Sequence, residues 1–536
     1  MMSDFQQKLP AGTSSFERLR AEKQICVDKT ALVFDLLENG QKYFLTRPRR
    51  FGKSLLLSTF DSLFRRGLQD FRGLALEKLW KEEPPKTVVN LDFSLLKGFR
   101  NSEEFLAAFD DFLADSLFRE KFIAGLPARG MGRRVFSEWL LAQPVSSVVI
   151  LIDEYDAPLT ECLADPALFG DVRTVLSSFY ALLKSADRAV RFLFVTGIAN
   201  FTRASHFSGL SGLKDISLDP RYGTLLGFTE EEIRLYFADR LDAAARILKM
   251  NVPDLLESMR RQYGGYCFEN SASARVFAPW SVLNFLAHPE DGFGSYWFES
   301  GGSPTALTGY FRSHALRSPA SLASEKCVSL TDLASASSLE DLNDLVLLAQ
   351  AGYLTIKGVE EDTVFLGYPN AEVRSSMAKL YASELLSGKT YVSVGAGGLA
   401  RKLASEPPEE IVRLFNRLLA ATDSRFFEGV TEYGIQAIFF AYLSGAGLEP
   451  QPERHGSRGR SDLEVRAGSR AWVFEFKMQR KGESAEAKLK DAIAQIEEKG
   501  YGEQADPRET ELIRIGLVFS EEKRRIALWG LAQAPK

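Results

Sequence analysis

Short apolar runs alternating with amphipathic stretches organise the first 230 residues of the chain. KYFLT (42–46), TVVNLDF (87–93), VVILIDE (148–154) and RFLFVTG (191–197) predict four strands buried on both faces. TALVFDLL (30–37) predicts a helix stopped by Asn39-Gly40, and LLLSTFDSLF sets Leu56, Phe60, Leu63 and Phe64 on one helical face. Strands separated by helical patterns predict a parallel α/β sheet. From Thr229, TEEEIRLYFADRLDAAARILKM opens with acidic residues where a helix N-terminus favours them, and helical texture continues to about residue 290. Residues 301–335, rich in Ser, Ala, Gly and Pro, predict loops between short helices.

DLNDLVLLAQAGYLTIKG then predicts a helix and a strand, and EDTVFLGYP a return strand, the pattern of a winged helix. Glu409 to Leu443 is helical in period, and VRAGSRAWVFEFK alternates around the turn Ala467-Gly468-Ser469, a hairpin signal. AEAKLKDAIAQIEEKGY (485–501) predicts an amphipathic helix and LIRIGLVFS (512–520) a buried strand. The expected divisions are a core over 1–228, a helical lid over 229–290, a connector over 291–400 and a final domain over 401–536.

A length of 536 residues exceeds what one hydrophobic core organises and calls for two to four domains. The net charge of −5 argues against coating nucleic acid with the whole surface. Arg454 to Lys490 departs from that balance, with ten Lys/Arg against five Asp/Glu, about +5. Four dispersed cysteines and four dispersed histidines give no paired zinc spacing and suit a reducing compartment. The opening MMSDFQQKLPAG lacks the apolar segment of a signal peptide, and no run approaches 18 apolar residues, so a cytoplasmic chain with no membrane segment is expected.

Two stretches carry chemistry. RPRRFGKS (47–54) follows a strand and opens a helix, the context of a phosphate-binding loop. Backbone N–H groups at such a helix start surround phosphates, Lys53 reaches the outer ones, and Ser54 holds Mg²⁺. Arg47 stands where the G-x-x-x-x-G-K-[ST] pattern has its first glycine, while Gly52 keeps the second. Arg47, Arg49 and Arg50 either contact phosphate or are structural. VVILIDE supplies Asp153, placed to bind the metal, and Glu154, placed to deprotonate an attacking water. Thr196 and Asn200 lie at the end of the next strand as candidate γ-phosphate sensors.

The second stretch is GRSDLEVRAGSRAWVFEFK. Glu475 and Lys477, two apart on a strand, project to one face while Phe476 faces the core, and the hairpin brings Asp462 beside them. Asp462 and Glu475 make a Mg²⁺ or Mn²⁺ pair with positions open to water and phosphate, and Lys477 orients water or neutralises charge. Glu432, on the helix TEYGIQAIFFAYL, is a candidate third carboxylate, and Gln495 a further catalytic candidate on the later helix. The surrounding basic excess, with Gly459-Arg460, suits a phosphate backbone.

These strings carry a resemblance. VDKTALVFDLLENGQKYFLTRPRRFGKSLLL, LIDEYDAPL, TGIANFTRASHFSGLSGLKDIS, YGGYCF and PWSVLNFL resemble the bacterial AAA-ATPase-like family, in which an arginine at the position of Arg47 is usual. GRSDLEV, WVFEFK and AIAQIEEKGY resemble the PD-(D/E)XK nuclease domain commonly fused to it. The resemblance implies an α/β P-loop NTPase core with a parallel sheet and helical lid, a winged-helix-like connector and a C-terminal α/β PD-(D/E)XK nuclease-like domain. It implies ATP and Mg²⁺ or Mn²⁺ as cofactors, nucleic acid (DNA foremost) as partner, room for a homo-oligomer, and by analogy a role in defence or mobile-element biology. The competing expectation is a nucleotide-dependent switch that grips nucleic acid without cutting it.

Overall fold

The computed structural model describes residues 7–10, 12–201, 212–297, 326–334, 343–387, 389–452, 455–456, 459–499, 501 and 511–533. They form two compact units, divided at 372/373, inside the stretch expected as a connector.

The first unit is built on five strands. β1 (Lys42–Thr46), β2 (Thr87–Asp92), β3 (Val148–Asp153), β4 (Val190–Gly197) and the short β5 (Lys214–Asp215) pair in the order β2-β3-β4-β1-β5, every pairing parallel. The four strands expected from apolar runs are present. β5 escaped the pattern because two polar residues carry no periodicity. Each central strand is buried along its length, since helices cover both faces of a parallel sheet. Register sets Thr46 beside Gly197, Leu45 beside Thr196 and Asp92 beside Asp153, which gathers the polar strand ends at one edge.

Four helices follow: Glu230–Tyr236, Ala238–Leu248, Val252–Tyr263 and Pro279–Ala287. The first begins at a capping box, Thr229 accepting from the Glu232 amide while Glu232 accepts from that of Thr229. Their apolar faces close a core around Leu255, Met259, Tyr263 and Phe285. The expected helix-and-wing appears as helix Asp344–Gln350 with β7 (Thr355–Glu360) and β8 (Thr363–Gly367). A third strand, β6 (Lys326–Ser329), joins it in the antiparallel order β6-β8-β7. It lies in the stretch expected as loops, most of which falls outside the described residues.

In the second unit the strands are β9 (Gln451–Pro452), β10 (His455–Gly456), β11 (Gly459–Arg460), β12 (Leu463–Ala467), β13 (Arg470–Gln479), β14 (Glu511–Ser520) and β15 (Arg525–Leu531). Five form one sheet, β15-β14-β13-β12-β9, in which β13 and β14 run parallel and their neighbours antiparallel. Trp472, Phe474, Phe476 and Met478 pack on helices Pro408–Ala421 and Glu432–Gly445, where Phe476 meets Phe439 at 4.8 Å and Phe474 meets Phe415 at 5.9 Å between ring centroids. The opposite face carries Val473 against Ile496 and Tyr501, beneath helix Ala485–Lys499. β15 was not expected, because RIALWGL is a partly exposed edge strand without clean alternation.

Candidate functional site

The loop between β1 and helix Lys53–Arg66 turns through Gly52, whose φ of 99° is a left-handed value that glycine adopts without strain. The helix therefore starts at Lys53 with its first N–H groups facing the loop. Lys53 is buried, and its Nζ donates to the Arg47 and Pro48 carbonyls at 2.9 and 3.1 Å. Burial lowers its pKa, opposed by the charges of Asp153, Glu154 and Asp156. Ser54 Oγ donates to Asp153 Oδ2 at 2.5 Å, and Thr196 Oγ1 donates to Asp153 Oδ1 at 2.5 Å. One carboxylate thus ties the loop helix to two strand ends. Arg49, Arg50, Gly52, Lys53, Ser54 and Glu154 line a cavity of about 560 Å³. Glu154 sits at φ 48°, an uncommon conformation for a side-chain-bearing residue of the kind that strand-end sites retain.

Arg47 takes the structural alternative. Its guanidinium is buried, donating from Nη1 to the Thr46 and Ser217 carbonyls, each at 2.8 Å, and from Nη2 to the Tyr222 carbonyl at 3.1 Å. The Phe268 ring lies 4.6 Å from its carbon, Cζ. Its fork is directed at backbone oxygens, the arrangement expected of the structural one of its two candidate roles. Arg50, at φ 67°, lies 4.5 Å over the Trp280 ring at the cavity wall. Asn200 Nδ2 donates to Asp215 Oδ2 and to the Ala334 carbonyl. Asp156 was overlooked. Buried, it accepts from the amides of Ile198 and Ala199, and burial pushes its pKa up to about 6 against those bonds. An acidic letter three past a strand end was the available signal.

In the second unit, the β12–β13 ladder ends at Leu463–Phe474, and the next step places Asp462 opposite Glu475. Asp462 Oδ2 accepts from the Phe476 amide at 2.8 Å, and its carbonyl accepts from Gln436 Nε2. Lys477 Nζ donates to Glu475 Oε1 and to Gln495 Oε1, each at 2.9 Å, and Gln495 Nε2 donates to the Tyr501 hydroxyl at 3.2 Å. Asp462, Glu475, Lys477 and Gln495 therefore converge. Glu432 reaches the same strand differently, its Oε1 accepting from the Met478 amide at 2.9 Å. Gln436 was missed, one helical turn on from Glu432. Side chains of Gly459 and Arg460 lie outside the description.

Glu475 is fully buried, and its Oε2 accepts no hydrogen bond among the described residues. Burial, then the charge of Asp462, pushes its pKa up to about 7 against the pull of Lys477. Burial opposes the charge of Lys477, but Glu475, Glu432 and Asp462 together outweigh it and raise that pKa. An orphaned carboxylate oxygen beside a second carboxylate is the polar arrangement a cation satisfies, so these residues fit a divalent metal. Among the described residues, no group of three or more His, Cys, Asp or Glu is placed to hold a metal.

The sequence matches a family model described as "Predicted AAA-ATPase" over residues 10–207, and one for the PD-(D/E)XK nuclease superfamily over residues 430–529. A relative from Azotobacter chroococcum mcd 1, described as "Uncharacterized protein in vnfD 5'region", is 30% identical over 532 residues, covering 97% of this chain and 98% of its own. The chain belongs to this AAA-ATPase-like family with a C-terminal PD-(D/E)XK nuclease domain. The five-stranded parallel sheet and the C-terminal α/β sheet agree with that family's two modules. An enzyme with an ATPase-like module and a nuclease module is the function these matches support. Among the described residues, no helix is long and apolar enough to cross a membrane.

Proposed function

We propose that the protein is a nucleotide-regulated nuclease that cleaves phosphodiester bonds in nucleic acid, DNA foremost, with Mg²⁺ or Mn²⁺ as its metal. The observation that carries this reading is the buried Glu475 with an unpartnered Oε2, opposite Asp462 and bonded to Lys477. A purely binding fold has no need to bury a carboxylate in that state. Asp462 and Glu475 would hold the cation, which supplies Lewis acidity toward the scissile phosphate when bound. Lys477, kept protonated by its acidic neighbours and oriented by Gln495, sets a positive charge beside the position where charge develops. Tyr501 fixes the Gln495 amide so that its oxygen, not its nitrogen, meets Lys477.

In the first unit, Lys53 and Ser54 would hold the phosphates and Mg²⁺ of ATP, Asp153 would hold that ion with Ser54, and Glu154 would act as base toward water. The test is purified protein with supercoiled plasmid, single-stranded DNA and RNA, with and without ATP and with Mg²⁺ or Mn²⁺. Metal-dependent cleavage lost in Asp462→Ala, Glu475→Ala and Lys477→Ala supports the reading. Binding without cleavage in every condition would transfer the protein to the class of nucleotide-dependent nucleic-acid switches.

A further inference from the structure

The phosphate loop is gripped from behind by residues that the nucleotide chemistry does not use. Pro48 lies against Gly352, at φ 89°, so closely that a Cβ there would come within 2.7 Å of the proline ring. The carbonyl of Arg49, the next residue, accepts from the indole Nε1 of Trp297 at 3.0 Å. Trp297 is fully buried and meets Tyr353 edge-on, ring centroids 5.5 Å apart. Its own amide donates to Glu372 Oε1 at 2.8 Å, as the Tyr296 amide does at 2.5 Å. Glu372 Oε2 accepts from Ser281 Oγ at 2.8 Å, and the Glu372 side chain is fully buried.

Glu372 is the last residue of the first unit, and it lies in the first turn of helix Ala371–Leu385, whose residues from Val373 onward belong to the second. An unbroken set of bonds therefore runs from the loop carbonyl through one indole and one carboxylate to the helix along which the chain changes unit. Lys53 gives the loop a reason to move. Its ammonium is held by the carbonyls of Arg47 and Pro48, and a phosphate that draws it competes with those carbonyls for its three N–H donors, directly beside the carbonyl that Trp297 holds.

We infer that Trp297 and Glu372 form a relay by which nucleotide occupancy of the loop reaches helix Ala371–Leu385 and, through it, the second unit. The relay rests on the nucleotide reading above and supplies its means of regulation. Both residues are positioning residues, and a bistable contact carrying such coupling typically changes the response about tenfold.

The test uses the full-length protein, ATP with Mg²⁺, and hydrogen exchange of peptides spanning 371–385, beside calorimetric titration of ATP. Wild type is expected to bind ATP and change the exchange of this helix by about tenfold. Trp297→Phe, which keeps an aromatic ring but removes the N–H donor, is expected to bind ATP within about threefold of wild type and lose that response. Glu372→Gln, which removes the charge that draws two amides, is expected to do the same and serves if the tryptophan variant does not fold. ATP binding by wild type without any change in 371–385, or a full response in both variants, overturns the relay while leaving the nucleotide site standing. Undetectable ATP binding by wild type overturns the nucleotide reading, and the relay with it.

Discussion

Replacing Arg47 by methionine tests whether this residue builds the loop or serves phosphate. The substitution keeps an unbranched, apolar stem of similar reach and deletes the guanidinium. Three carbonyls, of Thr46, Ser217 and Tyr222, then lose their donor inside the protein. Each unmade bond costs about 1–3 kcal/mol, and removal of a buried charge, which burial already disfavours here, returns part of that sum. A net loss of about 3–5 kcal/mol is expected. At about 2.1 cal/mol/K of unfolding entropy per residue, a unit of roughly 360 residues should melt about 5 °C lower. Arg47→Lys, which keeps a charge but lacks the fork, should fall between. Scanning calorimetry of the full-length variants gives the melting shift, and ATP titration well below the melt should leave affinity within about threefold for Arg47→Lys. A methionine variant that melts with wild type yet loses ATP affinity by about tenfold or more would refute the structural assignment and return Arg47 to the phosphates.

The pH dependence of Glu475 has a definite sign. With a folded pKa of about 7 against the ordinary 4.5, the metal-free fold keeps its proton longer than the unfolded chain. Stability is therefore undiminished below about pH 4.5, falls between about 4.5 and 7, and is lower by about 3 kcal/mol above that. Glu475→Gln should accordingly slow exchange of the β13 amides at pH 8 in EDTA and change it little at pH 4.5, and equal exchange at pH 8 counts against the buried charge. Asp156→Asn should loosen the Ile198 and Ala199 amides, seen as faster exchange there, with about 1–3 kcal/mol lost. Lys53→Ala should abolish most ATP affinity by calorimetry, whereas Glu154→Gln should retain binding and slow phosphate release. Gln495→Ala should lower the cleavage rate and shift its pH profile, because Lys477 loses one of two acceptors.

The parts of the molecule with strong local grammar were legible in the sequence. VVILI and WVF announce buried strands because their apolar character is continuous, and alternation at Glu475 and Lys477 fixes their shared face. β5 and β15 were not legible, one too short for a period and the other half-exposed at an edge. The site contacts that the sequence did not reveal depend on distant partners. Arg47 meets oxygens of Ser217 and Tyr222, some 170 residues away, and Asn200 meets Ala334. Letters near a loop identify what is available to phosphate, but only tertiary packing decides which way a long side chain turns.

The ten residues of β13 serve two trades at once, with the aromatic rings of Trp472, Phe474 and Phe476 on one face and Glu475 and Lys477 on the other. Parity is therefore the proofreading device of this domain. Deleting a single residue between Arg470 and Phe474 would turn Glu475 and Lys477 toward Phe415 and Phe439 and swing Phe476 toward Gln495, so the sheet could not close with its site inverted. A second unit packed through Trp472, Phe474 and Phe476 therefore sets Glu475 and Lys477 on the Gln495 face by the same act of folding, and a slipped register loses the core together with the site.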